Sequence, residues 1–347
     1  MRKPLSVAIL GATGMVGRRM SELLTDHPWF DVKVLVGFRS VQGSYLEAWD
    51  RKELSNQDYY GENFWKPRPF PAGLESRTVQ SLDDLMKSEV DLVFSAIPEQ
   101  QGKIEQDLAD AGNTLFSNSP YGRFEPHNPL IIPEINLGDL NKQRLIKNPN
   151  CVTSGLALVL YPLVKHYGVE EASAVTFQSL SGRGDAKYDK DLVLNNVYPL
   201  HDSDENTETY IQKEVKRILG TGFKLSVSCN RVFVQEGHFV DVKIKTVDRV
   251  NGKEEVARVL ESFNPLEELH LPTSPKSPVV VLSEIGRPRP AQDSNVERGM
   301  SVVVGGIATD DEVYDLRLQL VVNNLVRGAA GGAILNAECY ARANNMI

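Results

Sequence analysis

The chain has 347 residues, 41% of them hydrophobic and 24% charged, ordinary for a globular protein of about two domains. Its 38 Lys and Arg against 46 Asp and Glu give a net charge of −8. That balance argues against nucleic acid as a partner but leaves room for a local cationic pocket.

The first half alternates strands and helices. Ser6 to Leu10 is a short apolar run ending in glycines, as in a buried parallel strand. Helical spacing follows over Val16 to Leu24, then strand-like runs at Val32 to Val36, Val90 to Ala96 and Thr114 to Ser117, with a helix at Lys103 to Ala111. This alternation predicts a parallel, doubly wound α/β sheet. Residues 41–80, rich in Tyr, Trp, Pro and Gly, read as a loop-rich insertion. No run reaches the ~18 apolar residues of a membrane span, so no membrane partner is expected.

From about residue 150 the texture changes. Helices are predicted at Gly155 to Lys165 and Thr207 to Leu219. Strands are predicted at Ala172–Gln178, Lys224–Ser228, Phe239–Lys245, Val279–Leu282 and Met300–Val304. The pattern suits an α+β domain with a mixed, mainly antiparallel sheet. Leu316 to Ala343 reads as one long helical stretch. The expected division is 1–149 for nucleotide binding, rejoined by a C-terminal helix over 329–347, and 150–328 for catalysis and dimerisation.

Gly11-Ala12-Thr13-Gly14-Met15-Val16-Gly17 lies between the first predicted strand and helix. Glycines there permit tight turning, and a helix N-terminus attracts a pyrophosphate, so Gly11, Thr13, Gly14, Met15 and Val16 are expected to bind a dinucleotide. The second strand ends Gly37-Phe38-Arg39-Ser40, without the acid that holds the ribose hydroxyls in NAD-specific folds. Arg39 and Ser40 suit a 2′-phosphate instead, which predicts NADP.

The three cysteines, an odd and sparse set, suit a reducing compartment, with the cytoplasm as default. Cys229 and Cys339 lie in apolar runs and read as packing residues. Cys151, in Asn150-Cys151-Val152-Thr153-Ser154, falls near a helix N-terminus, whose dipole is expected to lower the thiol pKa. His238, after Gly237, is the best candidate for its proton carrier. The His, Cys and acidic residues lack metal-ligand spacing, so no metal is expected.

Taken together, Gly11–Gly17, Arg39-Ser40, Asn150-Cys151, Gln178 with Ser181-Gly182, and Arg231 to His238 resemble the aspartate-β-semialdehyde dehydrogenase family in its archaeal and fungal branch. The likeness runs over essentially the whole chain, with 27 positions from Cys151 to Gln178 and 7 from Arg231 to His238. It implies the fold of the glyceraldehyde-3-phosphate dehydrogenase group, a Rossmann domain followed by an α+β catalytic domain. It also implies NADP-dependent reduction of aspartyl phosphate through a cysteine thioester, as part of amino-acid biosynthesis, in a homodimer or homotetramer. The implied roles are Cys151 as nucleophile, His238 as acid/base and Gln178 as substrate orienter. Arg231 would grip the substrate carboxylate, Glu214 the ammonium, and Arg123 and Arg217 the phosphate, with Asn118 also among the substrate-binding residues. Ser95, Ser181, Gly182 and Asn324 would lie toward the cofactor. One departure stands out: Arg183, in Ser181-Gly182-Arg183-Gly184, replaces a small residue. It keeps three enzymatic rivals open: malonyl-CoA reductase, succinyl-CoA reductase and N-acetylglutamyl-phosphate reductase. A non-catalytic NADP-binding regulatory subunit is the rival from another class, and the presence of Cys151, His238, Gln178 and Arg231 speaks against it.

Overall fold

The computed structural model describes residues 3–37, 43–140, 143–201, 203, 205, 207–309 and 311–347. Five short apolar strands come first: β1 (Leu5–Leu10), β2 (Phe30–Val36), β3 (Leu92–Ser95), β4 (Leu115–Ser117) and β5 (Leu145–Lys147). Strands apolar on both faces need cover on both sides, which parallel pairing with crossover helices provides. They pair in parallel in the order β2-β1-β3-β4-β5. Alternate side chains divide between two clusters. Val7, Ile9, Phe94, Phe116 and Ile146 face one side, and Ala8, Leu10, Val93, Leu115 and Leu145 the other. Helices α1 (Met15–Leu24) and α3 (Lys103–Asp110) belong to this unit. The chain leaves β1 in one direction toward β2 and continues from β3 in the other, so a crevice opens at the carboxyl ends of β1 and β3.

Residues 41–80 correct the loop expectation, since Tyr45–Tyr60 is a 16-residue helix, α2. Ser44 caps it by accepting from the Glu47 N–H, and Gly61 ends it with a positive φ. Its aromatic residues, which obscure a helical period, form a packed cluster in which Trp49 and Tyr45 meet Phe70.

The second sheet runs through β6 (Val169–Gln178), β7 (Val197–Pro199), β8 (Lys224–Val232), β9 (His238–Thr246), β10 (Val279–Val281), β11 (Val302–Ala308) and β12 (Leu316–Val322). Their order is β10-β11-β12-β9-β6-β8-β7, with antiparallel pairing except at β10–β11 and β6–β8. The expected mixed sheet is therefore present. Helix α4 (Cys151–Tyr167) packs on one face, where Ala172, Ala174, Val240, Val242, Leu318 and Leu320 form a core with its Leu156, Val159 and Leu163. Helices α5 (Thr207–Leu219) and α6 (Lys253–Glu261) complete that layer. The opposite face presents half-buried Val175, Phe177, Phe239, Asp241 and Gln319.

The helical expectation for Leu316 to Ala343 is wrong in its first quarter. Leu316, Leu318 and Leu320 are buried while Arg317 is exposed, a period of two, and the segment pairs with β9 and β11. The chain then makes a π-helical turn at Val326–Ala330 and enters α7 (Gly331–Ala343). Ile334, Leu335 and Ala337 of α7 join the core of the first sheet. A bidentate pair anchors the turn, Arg327 to Glu134 at 2.7 and 2.6 Å, both side chains buried.

A second buried ion pair ties the carboxyl ends of β3, β4 and β5. Lys147 Nζ donates to Glu105 Oε2 and to Ser117 Oγ, each at 2.7 Å. Ser95 and Ser117 hydroxyls donate to the same carboxylate. Burial holds the Lys147 ammonium below the ordinary lysine range, and Glu105 opposes that shift. A buried charge left alone costs far more than a buried pair. Lys147→Ala is therefore expected to lower unfolding free energy by about 3–5 kcal/mol. The double exchange Lys147→Met with Glu105→Leu should recover most of that loss, measured by urea unfolding. Equal stability of the wild type and Lys147→Ala would refute the stabilising role of the pair.

Candidate active site

Cys151 opens α4, with Asn150 as its N-cap: Asn150 Oδ1 accepts from the Val152 N–H at 2.8 Å. Three strand ends converge on this point. Register pairs Phe239 with Phe177 and His238 with Val322, so Gln178, His238 and the Asn323-Asn324 turn lie side by side. Cys151 Sγ lies 3.1 Å from His238 Nε2 and 3.9 Å from Asn150 Oδ1.

The backbone N–H of Ser179 donates to His238 Nδ1 at 3.0 Å. A nitrogen that accepts is unprotonated, so the neutral ring carries its proton on Nε2, facing the sulfur. Burial, with the Arg231 charge, holds the imidazole well below its usual pKa. Burial also pushes the Cys151 thiol up to about 11, against the opposing influence of Arg231, the Val152 N–H and Arg123. The dipole of α4 by itself would lower it, as expected from the sequence. Desolvation of the charged form outweighs the dipole here. Cys229 and Cys339 are buried free thiols pushed higher still.

The other expected substrate contacts are distributed as follows. Arg231 is buried, and its guanidinium donates to the Ser179 carbonyl at 2.7 Å, the Tyr188 hydroxyl at 2.8 Å and Glu205 at 2.5 Å. Gln178 is buried and donates to Thr176 Oγ1 at 3.1 Å. Gly182 packs so closely that a Cβ there would lie 2.6 Å from Arg231 Nη1 and 2.8 Å from His238 Cε1, which excludes any larger residue. Arg123 and Asn118 line the cleft. Glu214 does not. It is fully buried, with Oε1 accepting from Arg123 at 3.0 Å and Oε2 from the Asn150 N–H at 2.6 Å. Arg217 also stays outside the cleft, donating to the carbonyls of Arg123 and Asn128 and so bracing the loop that carries Arg123. Ser95 is buried and turned into the Glu105 cluster.

A cavity of about 860 Å³ runs from Cys151 to the glycine loop. Gly11, Thr13, Gly14, Met15 and Val16 line its far end. A Cβ on Gly17 would overlap the Gly11 carbonyl oxygen, so the loop crosses α1 only because that residue is glycine. Gly14 has no side chain with which to cap α1, leaving the helix N-terminus open to an anion. Arg51 and Lys52, from α2, line the same cavity, as do Ser181, Gly182, Arg183 and Asn324. This donor set fits a dinucleotide with its phosphates on the α1 N-terminus. Arg51 and Lys52 escaped the sequence reading because their segment looked like loop. Arg39 and Ser40 lie outside the described residues.

Buried Arg18 joins the cofactor end to the second sheet's loops. It donates to the Thr13 carbonyl at 2.7 Å, to Glu53 at 3.1 Å and to Asp185 at 3.2 Å. Asn324 closes the other side, donating to Ser181 Oγ at 2.9 Å and accepting from Ser179 Oγ at 3.1 Å and the Gly237 N–H at 2.9 Å. Arg183 stacks over the Tyr188 ring at 4.7 Å.

Residues 6–143 match the family model "Semialdehyde dehydrogenase, NAD binding domain", and residues 160–327 match "Semialdehyde dehydrogenase, dimerisation domain". The chain is 33% identical to aspartate-semialdehyde dehydrogenase of Trichophyton rubrum, over 95% of each protein. It is 31% identical to malonyl CoA reductase (NADP) of Metallosphaera sedula, over 97% of each. The crystal structure of aspartate semialdehyde dehydrogenase with NADP from Candida albicans superposes with a TM-score of 0.82 at 28% identity, covering 99% of this chain and 100% of that one. With a cysteine–histidine pair at the mouth of a dinucleotide cleft and likeness along its full length, the chain belongs to the aspartate-semialdehyde dehydrogenase family of oxidoreductases.

Proposed function

We propose that this protein is a cytoplasmic enzyme that reduces L-aspartyl-4-phosphate to L-aspartate-4-semialdehyde with NADP as cofactor. The observation that carries the reading is the 3.1 Å contact between Cys151 Sγ and His238 Nε2 in a cleft continuous with the glycine loop. Gly11, Thr13, Gly14, Met15 and Val16 would hold the dinucleotide, with Arg51 and Lys52 toward its phosphates. Bound NADPH supplies the hydride that reduces the thioester carbon.

The remaining chemistry falls to the chain's own groups. The Cys151 sulfur attacks the acyl carbon, the carbon–oxygen bond to phosphate breaks, and inorganic phosphate leaves with that electron pair and takes up the thiol proton. Arg123, on the cleft wall, balances the phosphate charge. Arg231 takes the substrate carboxylate. Reduction of the thioester leaves a thiohemiacetal oxyanion, and His238 Nε2–H is on the correct nitrogen to donate a hydrogen bond to it. Collapse of that oxyanion releases the aldehyde and the Cys151 thiolate, which takes a proton from solvent to restore the thiol. Because His238 is held neutral, its role is that of a hydrogen-bond donor at Nε2, and Ser179 keeps that proton in place.

Reduction of an acyl-CoA is the second reading, favoured by the malonyl CoA reductase relative and by Arg183 on the cleft wall. Initial rates in the oxidative direction decide between them. Aspartate semialdehyde with phosphate and NADP is expected to be turned over, while malonate and succinate semialdehydes with CoA are not. The opposite ranking would overturn the aspartyl reading. Cys151→Ser is expected to lower the rate at least about a thousandfold while NADP binding, followed by fluorescence, persists.

The thiol position makes a pH prediction. Alkylation proceeds through the thiolate, so in the substrate-free enzyme its rate at Cys151 should climb about tenfold per pH unit from pH 7 to 10. No plateau is expected below about 11. A plateau near neutrality, read by mass spectrometry after iodoacetamide pulses, would contradict the dominance of burial.

The half-buried sheet face bearing Val175, Phe177 and Phe239 supports a homodimer through that face. Replacing Phe177 and Phe239 together by Asp is expected to yield monomers in sedimentation velocity. An unchanged sedimentation coefficient would place the interface elsewhere.

A further inference from the structure

β8 and β9 are not neighbours in the second sheet, because β6 lies between them. The chain that joins them, residues 233–237, therefore crosses over the end of β6 without the ladder that steadies a hairpin. Arg231 lies just before this crossing and His238 at its end. On its inner side the crossing is held by its own domain. The Leu180 N–H donates to the Val234 carbonyl at 2.8 Å, the Ser181 N–H to the Gln235 carbonyl at 3.2 Å, and the Gly237 N–H to Asn324 Oδ1 at 2.9 Å.

On its outer side it is held by the insertion of the first domain. The Gln235 amide pairs with the backbone of Lys66 in both senses: Nε2 donates to the Lys66 carbonyl at 2.9 Å, and Oε1 accepts the Lys66 N–H at 3.1 Å. Such a pair fixes register as well as distance, since both bonds fail if either chain slides by one residue. Glu236, next to it, accepts from the Arg68 guanidinium and, at 2.7 Å, from Asn323 Nδ2. The Phe64 and Phe233 ring centroids lie 4.0 Å apart, in a cluster with Tyr60, Trp65, Leu180 and Leu325. Arg68 is fixed in turn. Its N–H donates to Glu53 Oε2 at 3.0 Å, and Glu53 Oε1 accepts from Arg18, which also holds the Thr13 carbonyl of the glycine loop.

We propose that residues 64–68 clamp this crossing, with Gln235 and Glu236 as the positioning residues that keep His238 on Cys151 and Asn324 at the cleft. Neither residue lines the cleft, so both act through the groups they hold. The insertion thereby joins the nucleotide domain to the reacting pair: α2 places Arg51 and Lys52 on the cleft wall, and the chain leaving α2 holds the histidine. This assignment rests on the Cys151–His238 chemistry given under Proposed function.

The test uses Gln235→Ala and Arg68→Gln, singly and together, at two half-buried positions. With aspartate semialdehyde, phosphate and NADP, kcat is expected to fall about tenfold in each variant and further in the pair, with Kd for NADP within about twofold of wild type. A second readout needs no substrate. Burial is the largest influence on the Cys151 thiol, and a loosened His238 admits water. Iodoacetamide should therefore label Cys151 about tenfold faster at pH 8, while Cys229 and Cys339 keep their wild-type rates. Gln235→Glu keeps the acceptor for the Lys66 N–H and should fall between Gln235→Ala and wild type. Arg68→Lys keeps the charge on Glu236 and should restore most of kcat. Faster labelling of all three thiols would mark a general loosening of the fold and overturn the assignment. So would a double variant whose kcat and Cys151 labelling both match wild type, or a loss of NADP affinity as large as the loss in kcat. Wild-type enzyme that turns over no semialdehyde would overturn the aspartyl reading instead, and the labelling comparison would still decide the clamp.

Discussion

One buried carboxylate sets the geometry on which the site depends. Glu214 accepts the Asn150 N–H with one oxygen and the Arg123 guanidinium with the other. Asn150 is the N-cap of the helix that begins at Cys151, so a single side chain on α5 fixes both the sulfur and the cation beside it. A carboxylate taken out of water must have its lone pairs met by charge-assisted bonds, and these two donors meet them. Arg217, one turn further along α5, braces the backbone of the Arg123 loop from behind. Both residues therefore act by positioning Arg123 and Asn150.

The thiol and the imidazole are governed by the same exclusion of water. Burial favours the neutral form of each, raising one pKa and lowering the other. The resulting pair is neutral, with the histidine proton directed at the sulfur by the Ser179 N–H. In the proposed reaction charge enters this site with the substrate, and Arg51, Arg123 and Arg183 line the cavity that would receive it.

Much of this was legible along the chain. The glycine loop announces itself because a strand, a turn without Cβ atoms and a helix must follow one another within a few residues. Asn150-Cys151 reads as a helix start because Asn is a strong N-cap. The seven-stranded sheet shows through the period-two runs of β6, β8 and β9. Other parts were hidden for definable reasons. In α2 the aromatic residues mask the helical period, which concealed Arg51 and Lys52. In β12 the alternation of Leu316 to Leu320 is short and runs into the apolar stretch that leads to the next helix, and pairing with β9 and β11 fixes it as a strand.

By itself the sequence determined the class of fold and singled out the glycine loop and the cysteine–histidine pair proposed to react, because each depends on local residue types at short or recognisable spacing. Tertiary structure decided which charges are available. Glu214, Arg217 and Ser95 carry the right chemistry for a substrate or cofactor contact, yet each is occupied by groups distant in sequence. Glu205, unremarkable among neighbouring acidic residues, is brought onto Arg231 from 26 positions away. The thiol pKa belongs to the same class, since burial is a property of the packed molecule and overrides the local influence of a helix end.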